Sequence, residues 1–146
     1  MRSLERSMCQ EWTLNHPPGI SPEDLLNFVY LEEFEGDWAE LHPGDDDEIA
    51  LWALEIAIMS NPLGGSVIRG TGGLRKLRFA AEQDYRGKRG ADRICYAYYP
   101  DHHIVLMVAA FPKNRKANIS EDEKKGIKKY LDQVRNWLDT HEDGGP

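Results

Sequence analysis

Arg93–Phe111 reads RICYAYYPDHHIVLMVAAF, and this stretch decides the fold. Two β-prone runs, Arg93–Tyr99 and His103–Phe111, flank the tight link Tyr99-Pro100-Asp101-His102, the pattern of a hairpin. Ile104 to Phe111 is apolar almost without break, as expected of a central strand covered on both faces. Alternation puts Tyr96 and Tyr98 on the face of Ile94, where core packing is expected, and leaves Tyr99 more open at the hairpin edge. His102 and His103 are expected to be solvated in the turn. Upstream, Leu74–Ala80 predicts a further strand, and Asn27–Leu31 (NFVYL) a short one.

Between these strands the periodicity changes from two to that of a helix. Phe34, Trp38 and Leu41 fall at i, i+4 and i+7, one face of a short helix over Glu32–Leu41. A turn at His42-Pro43-Gly44 precedes Asp45, Asp46 and Asp47, acids that suit the positive end of a second helix. That helix stops before Asn61-Pro62. Its stripe is read as Ile49, Trp52, Ile56 and Met59, widened by Leu54 and Ile58, which predicts deep burial of that side. Gly64–Gly73 is a turn-rich connection. Ser120 and Glu123 form a capping box before a final helix whose core stripe is Ile127, Leu131, Val134 and Leu138.

The order β-α-α-β-β-β-α predicts an α+β fold: a small, mostly antiparallel four-stranded sheet with helices packed on it. Residues 1–25, with Pro17, Pro18, Gly19 and Pro22 and no sustained apolar period, are read as a leader or N-terminal extension. Residues 26–140 make the domain, and 141–146 a tail.

The 146 residues carry a net charge of −7, strongly segregated. Residues 1–68 net −12, residues 69–116 net +7 and residues 117–146 net −2. One concentrated basic stretch in an acidic chain suggests a local polyanion site, with charge pairing between the two halves as the alternative. No apolar run reaches the roughly 18 residues of a membrane span. Met1–Leu14 lacks the apolar block of a signal peptide, so a cytoplasmic location is expected. Cys9 and Cys95 are too few for a disulfide scaffold or zinc site and are read as unpaired thiols.

Within the basic stretch, Lys76 and Arg78 alternate with Leu77 and Phe79, so the two cations project from one strand face. That geometry suits an anion, and equally a solvated edge strand. Arg75 stands beside them in sequence. Arg86, Lys88 and Arg89 lie in a loop with Gly87 and Gly90, Arg93 opens the next strand, and Lys113, Arg115 and Lys116 follow the central strand. So many cations converging at strand ends and loops would repel one another without an anion, and nucleic acid is the expected ligand. The glycines at 64–73 lack the Gly-Lys-Ser/Thr ending of a phosphate-binding loop. The histidines are scattered and Asp45–Asp47 is a helix start, so no metal or other cofactor is expected.

Three blocks carry a resemblance: Gly70-Thr71-Gly72-Gly73-Leu74-Arg75-Lys76-Leu77-Arg78; Gly87-Lys88-Arg89-Gly90 with Arg93-Ile94-Cys95-Tyr96; and Phe111-Pro112-Lys113-Asn114 with Ser120-Glu121-Asp122-Glu123-Lys124. In this order, over roughly residues 27–138, they resemble the RelE/HigB-type toxins of bacterial type II toxin–antitoxin modules. The resemblance implies a RelE/ParE-like sheet, metal-independent cleavage of mRNA in the ribosomal A site, and neutralisation by a cognate antitoxin, often a helix-turn-helix protein. By position it assigns catalysis to Lys76, Arg78, Arg93 and Lys113. RNA or ribosomal RNA contacts are read at Arg75, Arg86, Lys88, Arg89, Arg115 and Lys116. The tyrosine of well-known members has no counterpart, because Asn118 and Ile119 fall near its place. A ParE-like gyrase inhibitor and a non-catalytic RNA-binding protein are the alternative readings.

Overall fold

A computed structural model of the chain describes residues 20–44, 47–80, 91–112 and 119–141. The fold is α+β. The strands are β1 (Asn27–Tyr30), β2 (Ser66–Val67), β3 (Arg75–Phe79), β4 (Asp92–Tyr99) and β5 (Ile104–Phe111). The helices are α1 (Glu32–Leu41), α2 (Asp47–Ser60) and α3 (Glu121–His141). Among the described residues, no helix is long and apolar enough to cross a membrane.

The sheet has five strands in the order β1-β5-β4-β3-β2, one more than the sequence predicts. The addition is β2, a two-residue strand inside the turn-rich connection, pairing Ser66 with Lys76 and Val67 with Arg75. The sheet is mostly antiparallel. Its parallel pair is β1 on β5, with Asn27 opposite Ile104.

The β4–β5 hairpin forms as expected, through a 3₁₀ turn at Pro100–His102 and a left-handed His103 at φ 56°. Its ladder shifts register between Cys95 and Tyr96: Cys95 faces Ala109 while Tyr96 faces Met107, leaving Val108 as the extra residue of a bulge. Where β1 ends, Asp37 of α1 takes over the edge. Its Oδ2 accepts the Ala110 N–H at 3.0 Å, satisfying a backbone donor that no strand reaches.

Both sheet faces are covered. On one, Phe34, Trp38, Leu51, Leu54 and Ile58 from α1 and α2 pack over Phe28, Ile94, Tyr96, Val105 and Met107. On the other, Leu131 of α3 packs with Leu74, Ala97, Tyr99 and Leu106, flanked by Ile127, Val134 and Leu138. The capping box starts α3: Ser120 N–H donates to Glu123 Oε1 at 2.8 Å, and Glu123 N–H to Ser120 Oγ at 3.1 Å. The loop before β3 presses on this helix. A Cβ at Gly72, which has φ 76°, would lie 3.1 Å from Lys128 Cγ and 3.3 Å from its Cα.

Three expectations are corrected. The buried side of α2 is Ala50, Leu51, Leu54, Glu55 and Ile58, whereas Ile49 is 61% exposed and Trp52 38%. A helix apolar on both sides offers the periodicity no unique phase. Tyr99 is not open: it is 1% exposed, donates its hydroxyl to Leu131 O at 3.1 Å and lies under the Arg135 guanidinium. His102 is not solvated, since its Nε2 sits 2.8 Å from Asp139 Oδ1 with the side chain nearly buried.

Candidate nucleic-acid interface

α3 covers the sheet where β3 begins and β4 ends. Among the described residues, the same face opens toward the other ends of these strands. β3 alternation places Lys76 and Arg78 there, both exposed, while Leu77 and Phe79 turn toward the α1–α2 side. Ladder pairing brings β4 into line: Lys76 is opposite Cys95, and Arg78 is opposite Arg93. Arg93 is in turn opposite Phe111 on β5. Directly opposed strand residues sit about 4.5–5.5 Å apart, and alternate residues along a strand about 7 Å. Lys76, Arg78 and Arg93 therefore form one cationic group about the width of a phosphate and its neighbours.

Three positive side chains this close are mutually unfavourable. Carboxylates do not relieve them from the neighbouring strand positions of this half-face, which hold Cys95, Ala109 and Phe111. Arg93 is steadied locally by donating from Nη1 to Ala91 O at 3.2 Å. Cys95 sits beneath the group. Burial pushes its thiol from an ordinary 9.0 to about 11, with Lys76 pulling the other way and Asp37 adding to the rise. A thiol held protonated in this way is a poor nucleophile.

Arg75 stands on the opposite face. Its guanidinium donates to Gly65 O at 2.7 Å and Leu63 O at 3.2 Å, fastening the loop that leads into β2. Tyr96 holds the same loop, donating to Pro62 O at 2.8 Å and accepting the Gly65 N–H at 3.2 Å. Arg86, Lys88, Arg89, Lys113, Arg115 and Lys116 lie outside the described residues. The position the sequence reading passed over is Phe111, a half-buried ring opposite Arg93 that packs against the α3-side core. Its signal was the alternation of the central strand, obscured there by continuous apolarity and by the bulge.

Among the described residues, no three His, Cys, Asp or Glu side chains come together to hold a metal ion. The buried carboxylate nearest this end of the sheet is Asp92, 1% exposed and 3.4 Å from His42 Nε2, but it belongs to the α1–α2 face. The arrangement is therefore a cationic sheet surface of two guanidinium groups and one ammonium.

No family model matches the chain. Among solved structures, it is similar to a mutant of the E. coli toxin RelE in the free state, at 16% identity and a TM-score of 0.46, over 72% of this chain and 97% of that one.

Proposed function

We propose that the chain is an mRNA-cleaving toxin that acts on the ribosome and is neutralised by a cognate antitoxin of helix-turn-helix type. The observation that carries the reading is the Arg78–Arg93 pair, two like charges held opposite each other on an open face beside Lys76. The ordered sequence blocks at residues 70–78, 87–96 and 111–124 add to it.

The chemistry needs no bound group. The ribose 2′-oxygen attacks the adjacent phosphorus in line, the 5′-oxygen leaves, and a 2′,3′-cyclic phosphate remains. The 2′-hydroxyl proton must be taken up and a proton delivered to the leaving oxygen. Arg78 and Arg93 offset charge on the pentavalent phosphorane-like transition state, since planar guanidinium forks meet phosphate bidentately. Lys76 is assigned to proton transfer on this half-face, with Lys113 as the second candidate. Arginine and lysine alone are modest acid–base catalysts near neutral pH. In-line positioning can contribute on the order of 7–11 kcal/mol, and mRNA bent in the ribosomal A site would supply it.

The same group favours a second reading, RNA binding without cleavage. At the described strand positions of this half-face only Lys76 and the deeply protonated Cys95 can exchange a proton. Single-turnover assays separate the two, comparing free mRNA with a programmed ribosome whose A site is empty. Faster cleavage on the ribosome is expected. Equal rates would make the protein a free ribonuclease, and binding without cleavage on both substrates would make it a binder.

A further inference from the structure

The outward side of α2 is apolar. Between Glu48 and Ser60 it presents Ile49, Trp52, Ile56 and Ala57 over about 12 Å of helix, the charged Glu55 of this span being buried. Beyond the helix end, Leu63 is 63% exposed. Single exposed apolar residues are ordinary, but a continuous stripe of this length marks an interaction surface. Its surroundings are mostly acidic, with Arg75, which donates to Leu63 O, as the described cation at the far end. Residues 20–68 contain no lysine or arginine. Glu48 closes one end of the stripe, and the neighbouring α1 exposes Glu32, Glu33, Glu35 and Glu40. Trp38 joins the two helices by donating from Nε1 to Asp47 O at 3.2 Å.

We propose that this face docks a cationic amphipathic segment of a partner protein, its apolar side on the Ile49–Trp52–Ile56 stripe and its lysines or arginines on the acidic rim. Trp52, 38% exposed, is the natural anchor, because half-buried tryptophans concentrate binding energy when a partner completes their enclosure. Charge excludes the obvious rivals. A two-fold dimer through the stripe would bring two acidic rims together, an unfavourable like-charge meeting. RNA and anionic lipid are repelled by the same rim. The partner would sit across the sheet from Lys76, Arg78 and Arg93, so the inference stands independently of the RNA reading.

The test uses the full chain and two labelled synthetic peptides of about 16 residues, long enough to form a helix on binding. One has leucines at helical spacing flanked by lysine and arginine; the other carries glutamate at each basic position. Fluorescence anisotropy should show the cationic peptide binding at least about tenfold more tightly, with loss of roughly tenfold or more in Ile49→Lys and in Ile56→Lys. Circular dichroism confirms that both exposed-site variants stay folded, and Glu48→Gln should weaken binding several-fold. Equal affinity for the two peptides, no binding, or binding unchanged by both lysine variants overturns the proposal. Sedimentation of the protein alone provides a further check. Self-association that Ile49→Lys abolishes would assign the face to a second copy and overturn it as well.

Discussion

Arg78 and Arg93 face each other as register partners across β3 and β4, with Lys76 two residues away on the same side. A folded protein gains nothing by opposing two guanidinium groups, so the free protein carries a small stability cost that an anion would remove. Reversing one charge should expose that cost. Arg78→Glu turns a like pair into an opposite one, worth about 0.2–1 kcal/mol across a strand pair. Its melting temperature should rise by roughly 1–3 °C while RNA binding falls. A lower melting temperature would show that the arginines are already neutralised within the fold.

Neutral truncation addresses the chemistry. Arg78→Ala and Arg93→Ala should each slow cleavage by about a hundred- to thousand-fold, the cost of losing one charge contact to the transition state. Each should also reduce the slope of log affinity against log salt by roughly 0.7 for single-stranded RNA. Salt-dependent binding and single-turnover rates on the same variants check both. Rates within threefold of the parent would remove the pair from the site.

Tyr96→Phe tests the fastening of the loop before β3. The change removes the donation to Pro62 O and leaves the Gly65 N–H without its acceptor. A loss of about 1–3 kcal/mol is expected, much of it from the stranded donor. Urea unfolding should show a lower midpoint at unchanged slope.

Alkaline pH should erode stability earlier than tyrosine content alone suggests. Burial holds the Cys95 thiol up to about 11 and the Tyr99 phenol up to about 12. The unfolded chain releases these protons near 9 and 10, so above pH 9 the native state binds more protons than the unfolded one. The stabilisation is full below pH 9 and is lost as pH rises through 11 and 12. Cys95→Ala should flatten the first part of that decline, which denaturant titrations between pH 8 and pH 11 would resolve.

Ile20 is buried, 3% exposed, at the start of the described residues. Ile20→Ala is expected to destabilise by about 2–4 kcal/mol. A thermal melt unchanged from that of the parent would show that the isoleucine contributes no core packing.

Elements held by local signals were legible in the sequence. The hairpin and the capped α3 are written within a few residues of themselves, and Lys76, Arg78 and Arg93 share a face because alternation and ladder register agree. Elements whose form depends on distant partners were not. β2 exists because Ser66 meets Lys76 and because Arg75 and Tyr96 hold the preceding carbonyls. Tyr99 is covered by α3, whose Leu131 carbonyl and Arg135 guanidinium lie more than thirty residues on. The phase of α2 was hidden because its apolar residues cover both sides. Arg75 could be separated from Lys76 by alternation alone, but its carbonyl partners lie in a loop that has no sequence signature.

The parallel pairing of β1 with β5 imposes an order on synthesis. Asn27 finds its partner in Ile104, 77 residues later. At about 5–20 residues per second the first strand waits roughly 4–15 s for the strand it must join. During that interval α1 and α2 have emerged without the strand they cover, and Trp38 can meet the Phe34 and His42 rings and the backbone of Asp47. The β4–β5 hairpin closes locally once it appears, and β1 then adds to its free edge. A nascent chain stopped before Ile104 contains both early helices but lacks the central strand that joins β1 to β4, which makes the late hairpin the template on which the first half of the protein assembles.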